Sequence, residues 1–233
     1  LFSRSDIPFN LRANWCSYLY LNGIISYTTQ QKTNEEMVEI CRFAAPFIQT
    51  CLFDSLTLYL IGDQMTGMAV DPLDDLADVF GGTTLNLPSL LDRYKAYLVR
   101  MKAKGLNPFN DQPRRTDLHY TEAVGHFHLY AWMKQAVEDI CVISPEFPTG
   151  NGKVDLHLKC RDKSGIIEIK SFKSHTGTQD AILQAAAYAR SLNLTSVTIV
   201  LFVPLDDASV LASLSKETQC DGVIVTVVAI GWT

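Results

Sequence analysis

The sequence predicts an α/β fold in which a mixed central sheet is flanked by helices, and three observations carry that reading. Residues 140–146, 153–160 and 165–172 are successive runs with strand character, with Asp162-Lys163-Ser164-Gly165 as a hairpin turn between the last two. Residues 196–203 are β-branched and apolar, as the buried centre of a sheet requires, and residues 222–230 form a final strand. Helical periodicity surrounds these runs, over 121–136, over the Ala-rich 179–192 and over 206–216. The order α-β-β-β-α-β-α-β implies a mixed sheet with helices packed on it.

The elements before residue 117 read as a mostly helical N-terminal region. Residues 14–27 are aromatic and aliphatic with a break at Gly23, compatible with a short strand pair or a helix end. Thr33-Asn34-Glu35-Glu36 has the acceptor-then-acid pattern of a helix start. Met37, Ile40, Cys41, Ala44, Phe47 and Ile48 then form an apolar stripe along a helix over 35–52, with Pro46 as a kink. A short helix over 71–80 ends at Gly81-Gly82. Residues 88–104 are amphipathic: Leu90, Leu91, Tyr94, Leu98 and Met101 line one face, and Gly105 ends the helix. Residues 107–116 are polar with two prolines and read as a connector, dividing the chain into residues 1–116 and 117–233. The chain begins at Leu1, as a fragment of a longer protein would.

Composition excludes several classes. The 233 residues are 47% hydrophobic and 19% charged, an ordinary globular balance with ample material for a core. No apolar run reaches the ~18–20 residues of a membrane span, and the N-terminus shows no signal-peptide pattern. The six cysteines have no C-x-x-C spacing and read as buried free thiols in a reducing compartment, so an intracellular protein of cytoplasm or nucleus is expected. His119, His157 and His175 fit no zinc template, and His126 and His128, two apart on a helix, point apart. There is no G-x-S-x-G, and Gly150-Asn151-Gly152-Lys153 is too short for a phosphate loop. The net charge of −5 argues against a non-specific nucleic-acid binder. Residues 151–190, however, hold seven bases and four acids, a local +3 that suits phosphate, with Lys153 and Lys173 as substrate contacts.

That same segment carries the chemistry. Along a strand, alternate residues share a face. Asp155 therefore points opposite to Val154, Leu156 and Leu158, while Glu168 and Lys170 point opposite to Ile167 and Ile169. Pairing the two strands brings two carboxylates and an ammonium together. Asp155, Glu168 and the carbonyl of Ile169 form an oxygen seat for Mg²⁺ or Mn²⁺, which would ready a water for attack on a phosphodiester. Lys170 positions that water, neutralises developing charge, or transfers a proton if a nearby cation depresses its pKa. Gln184 and Tyr188, one helical turn apart, share a face. Gln184 reaches the water or a phosphate, and Tyr188 stacks on a base or binds the backbone. Glu122, early in the preceding helix, is placed to hold a water from outside the metal's own ligands.

The stretch from Ser144-Pro-Glu146-Phe-Pro-Thr-Gly-Asn-Gly152-Lys-Val-Asp155 through Ile166-Ile-Glu168-Ile-Lys170 to Gln184-Ala-Ala-Ala-Tyr188 resembles the PD-(D/E)XK nuclease superfamily, in the branch with a trailing Gln-x-x-x-Tyr. It looks most like the nuclease domain attached to AAA-ATPase-like proteins, over residues 120–204. Tyr18-Leu-Tyr-Leu-Asn-Gly23-Ile-Ile-Ser-Tyr27 is similar to the helical region that precedes that nuclease. The resemblance implies a restriction-endonuclease-like αβββαβ core, with Asp155 and Glu168 as metal ligands, Lys170 as the catalytic lysine, Gln184 accessory and Glu122 the helix acid. Lys153 stands where Arg is commoner, and no Pro precedes Asp155.

The expected function is a Mg²⁺- or Mn²⁺-dependent nuclease acting on DNA, with RNA as the other substrate. Double-strand cleavage by one such site implies a homodimer, and the resemblance implies an ATPase domain in the full-length protein. The alternatives are a catalytically idle nuclease fold that binds nucleic acid or a protein partner, and a nuclease toxin or effector.

Overall fold

The computed structural model describes residues 6–31, 37–61, 75–109, 122–149, 152–172 and 174–232, with His175 as backbone only. The expected helix start at 33–36, the first residues of the 71–80 helix, most of the 107–116 connector, His119 and Lys173 lie outside the described residues. No helix of the described residues is long and apolar enough to cross a membrane. The chain forms two compact units, Leu1–Leu56 and Thr57–Thr233.

In the first unit, α1 (Asn14–Leu21) is followed by β1 (Ile25–Gln31) and β2 (Met37–Phe43), paired antiparallel from Ile25↔Phe43 to Gln31↔Met37. Its core is Cys16, Ile25 and Cys41, and Phe9 stacks on Tyr27 at 4.8 Å. The 14–27 stretch is thus a helix and then a strand, broken at Gly23 with φ 69°. The helix expected over 35–52 is corrected: Met37–Phe43 is a strand, and α2 spans Pro46–Ile61. Two physical reasons apply. Val38 and Ile40 are β-branched and favour a pleated surface. Pro46 has no N–H and clashes with the carbonyl four residues back, so a helix starts at it and does not run through it.

The second unit contains α3 (Ala77–Phe80), α4 (Leu87–Ala103), α5 (Glu122–Val137), β3 (Val142–Pro148), β4 (Lys153–Cys160), β5 (Lys163–Ser171), α6 (His175–Ser191), β6 (Ser196–Val203), α7 (Ala208–Leu214), β7 (Lys216–Cys220) and β8 (Val223–Gly231). Six strands form one sheet in the order β3-β4-β5-β6-β8-β7. The β3–β4 and β4–β5 pairs are antiparallel, β5–β6 and β6–β8 are parallel, and β7 returns antiparallel to β8. The mixed sheet is the one the sequence predicts. The last helix, Ala208–Leu214, is shorter than the expected 206–216, and β7 takes Lys216 and the unassigned residues after it. Asp221-Gly222, at φ 48° and 82°, makes a two-residue turn of the kind that closes hairpins, and this pair was the signal for β7. The β4–β5 turn is Arg161-Asp162, earlier than expected, since Cys160 pairs directly with Lys163.

Ala181, Ala185, Ala186 and Ala189 let α6 lie close against Ile166, Ile199, Leu201, Val225 and Val227 of the sheet. A second packed region is aromatic. Phe202 and Trp232 stack at 4.8 Å, Phe109 stands edge-on to both, and Tyr94 of α4 meets Trp132 of α5 at 5.1 Å. On α5, Gly125 has no room for a side chain, since a Cβ there would sit 2.3 Å from the Phe202 ring. The expectation of six free thiols is corrected: the β3–β4 register sets Cys141 opposite Cys160, and the two form a disulfide with Cα atoms 4.1 Å apart. Cys16 and Cys41 are buried free thiols, Cys51 is exposed and Cys220 is half-buried.

Candidate active site

Asp155 sits where the strand ladder lapses on both sides of β4. Towards β5, the last regular pair before it is Leu156↔Ile167. Towards β3, Pro145↔Leu156 and Phe147↔Val154 pair normally while Glu146, which stands between them, does not. Side chains fill the vacated bonds. The Asp155 N–H donates to Glu168 Oε1 at 3.4 Å, and the Ile169 N–H donates to Asp155 Oδ2 at 2.6 Å. The Asp155 carbonyl accepts from His126 Nε2 of α5 at 3.0 Å. A carbonyl oxygen only accepts, so this ring nitrogen carries the proton.

Lys170 gathers the carboxylates. Its Nζ lies 3.2 Å from Glu168 Oε2, 3.8 Å from Asp155 Oδ2 and 3.8 Å from Glu122 Oε1. Glu122 also accepts from the Ser171 N–H at 3.4 Å, which ties the start of α5 to the end of β5. Glu168 is only 2% exposed. Burial, and then the Asp155 charge, push its carboxyl up to about 8 against the pull of Lys170. At Lys170, burial works to lower the ammonium, but Asp155, Glu168 and Glu122 together raise it above its ordinary value.

Gln184 is exposed, and its Nε2 donates to the Tyr188 hydroxyl at 2.9 Å. Tyr188 is half-buried and closes over Gly152, where φ is 152° and an added Cβ would lie 2.8 Å from the hydroxyl. Burial and then the nearby Glu168 raise the tyrosine's pKa. Lys153 places its ammonium against the Glu146 carboxylate. His157 stacks on Phe147 at 4.3 Å, and burial lowers its pKa. The fold thus brings Glu122, Asp155, Glu168 and Lys170 together around one ammonium, with the Gln184–Tyr188 pair on α6 beside the turn into β4.

Two residues escaped the sequence reading. Glu146 is buried at φ 55°, and burial pushes its carboxyl up to about 7 against the opposing charge of Lys153. Its Oε1 lies 3.6 Å from Nδ1 of His126, a ring whose pKa burial lowers. His126, Glu146 and Asp155 each offer a ligand atom, all within 4.8 Å of one another, and as a group they can hold a metal ion. His126 was legible in one respect: it stands four residues after Glu122, on the same face of α5. Comparisons with protein-family models, with curated proteins and with solved structures find no match to this chain.

Proposed function

We propose that this chain is a divalent-metal-dependent nuclease of the PD-(D/E)XK type, hydrolysing phosphodiester bonds and acting first of all on DNA. The observation that carries the reading is the grouping of Asp155, Glu168 and Glu122 around Lys170 Nζ, at 3.8, 3.2 and 3.8 Å. The donor set fits Mg²⁺ or Mn²⁺. Both ions take oxygen ligands, Asp155, Glu168 and the Ile169 carbonyl supply them, and three carboxylates against one ammonium leave negative charge to balance. When bound, such an ion acts as a Lewis acid and makes water a nucleophile at neutral pH.

The chain's own residues do the rest. Asp155 is held by the Ile169 N–H and Glu168 by the Asp155 N–H, so both carboxylates are fixed before substrate arrives. Lys170, 3.2 Å from Glu168 and 3.8 Å from Asp155, places its ammonium to stabilise negative charge that develops on the phosphate. Glu122, 3.8 Å from that ammonium, orients it from α5. Gln184 and Tyr188 flank the site from α6, as contacts for a phosphate or a base.

The test is incubation of supercoiled plasmid, single-stranded DNA and RNA with the protein in Mg²⁺, Mn²⁺ or EDTA, beside Asp155→Ala. Cleavage is expected with either metal, none with EDTA, and none by the variant. Cleavage unaffected by Asp155→Ala would remove this site. No cleavage of any substrate under either metal would favour a nuclease fold used only for binding.

A further inference from the structure

We propose that Glu146 is a positioning residue for this site: together with Lys153 and His126 it fixes the β4 backbone at Asp155 and sets α5 against it. The inference rests on the metal-site reading above and goes beyond it, to a residue of β3 outside the set Glu122, Asp155, Glu168 and Lys170.

Three observations converge on Glu146. Its backbone is left-handed, at φ 55°, uncommon for a residue with a side chain and found here inside a strand, whereas Arg161 and Asp221 adopt it in turns. It stands opposite Asp155 between two regular pairs, so one departure from the strand is confined to the position facing the candidate metal ligand. Glu146 is 3% exposed, and its carboxylate is linked to β4 in two ways. One contact is direct, to the ammonium of Lys153, two residues before Asp155 on the same strand. The other runs through His126, whose Nδ1 faces Glu146 Oε1 at 3.6 Å and whose Nε2 donates to the Asp155 carbonyl at 3.0 Å.

His126 belongs to α5, the helix that also carries Glu122. Holding the ring therefore sets where Glu122 meets Lys170 and the Ser171 N–H. The His126–Glu146–Asp155 group also has the makings of a separate ion site. The Lys153 ammonium against Glu146 already supplies the positive charge that such an ion would bring, which favours positioning over ligation.

The experiment measures Mn²⁺ binding to the whole chain by calorimetry, together with amide exchange at Ile169, whose N–H is held by the Asp155 carboxylate. Glu146→Ala should weaken Mn²⁺ by about tenfold or more, as loss of an outer partner of a metal ligand does, and should speed Ile169 exchange. Glu146→Gln, which keeps the shape and hydrogen-bonding capacity, should restore binding to within about threefold of wild type. If Glu146→Ala does not fold, Lys153→Met takes its place, with the same weakening expected. Mn²⁺ affinity and Ile169 exchange unchanged in Glu146→Ala would overturn the proposal. So would equal losses of affinity and thermal midpoint in the Ala and Gln variants, which would mark a merely structural residue. If wild type and Asp155→Asn bind Mn²⁺ alike, the metal reading fails on its own, and Ile169 exchange decides the role of Glu146.

Discussion

At Lys170, burial pulls the ammonium's pKa down and three carboxylates raise it further than burial lowers it. His128, two residues after His126 on α5, has no such compensation. It is buried against Tyr94, Tyr97 and Phe109, its Nδ1 meets the Tyr94 hydroxyl at 2.6 Å, and burial lowers its pKa to about 3. Between that value and the ~6.5 of an unfolded histidine, the unfolded chain holds more protons. Stability is therefore full above about pH 6.5 and is lost as pH falls towards 3, by on the order of 4 kcal/mol in all. Glu146 and Glu168, raised to about 7 and 8, carry the opposite slope, but they are common to wild type and variant. His128→Gln should flatten the fall in thermal midpoint between pH 6.5 and 4; a variant that falls as steeply as wild type would contradict this. Strand alternation and charge made Asp155, Glu168 and Lys170 legible in the sequence. Glu146 was not legible, because a left-handed backbone on a glutamate leaves no local signature and its partners Lys153 and His126 come from two other elements. Lys153, expected to meet substrate, lies against Glu146 in the structure.

Among the elements, α5 lies tight against the sheet at Gly125. Gly125→Ala forces a methyl into the Phe202 ring and should cost about 1–3 kcal/mol, read as a lower denaturant midpoint. Because the same helix carries Glu122 and His126, nuclease activity should fall in the fraction that remains folded. Wild-type activity per folded molecule would show that α5 tolerates the shift. The β3–β4 hairpin is closed by Cys141–Cys160, which stand 19 positions apart in sequence. Constraining a loop of that size stabilises by about 3 kcal/mol in the chain-entropy account. Reduction, or Cys141→Ser, should lower the thermal midpoint accordingly and leave cleavage largely intact, since the bridge is at the hairpin end away from Asp155. An unchanged midpoint would contradict this. β4, α4 and α6 were readable because each carries one uninterrupted period, and β6 because its apolar run is short and rich in β-branched residues. β2 was read as helix because its apolar residues also fall at helical spacing. The disulfide was unreadable because only the strand register brings the two cysteines together.

On the scale of the whole molecule, every candidate site residue that is described falls in the unit Thr57–Thr233, and the site is assembled from α5, β4, β5 and α6. The net charge of −5 coexists with the local +3 of residues 151–190, and part of that local excess is spent internally, with Lys153 on Glu146 and Lys170 among three carboxylates. On the proposed reading, a bound cation and the ammonium of Lys170 supply most of the attraction for a phosphate. The measurement closest to this claim is the single-turnover cleavage rate of Lys170→Met in saturating Mg²⁺, with folding verified by thermal midpoint. The account predicts a fall on the order of a hundredfold or more, the scale of losing one preorganised charge at a reacting centre. A Lys170→Met protein that cleaves at the wild-type rate would contradict it.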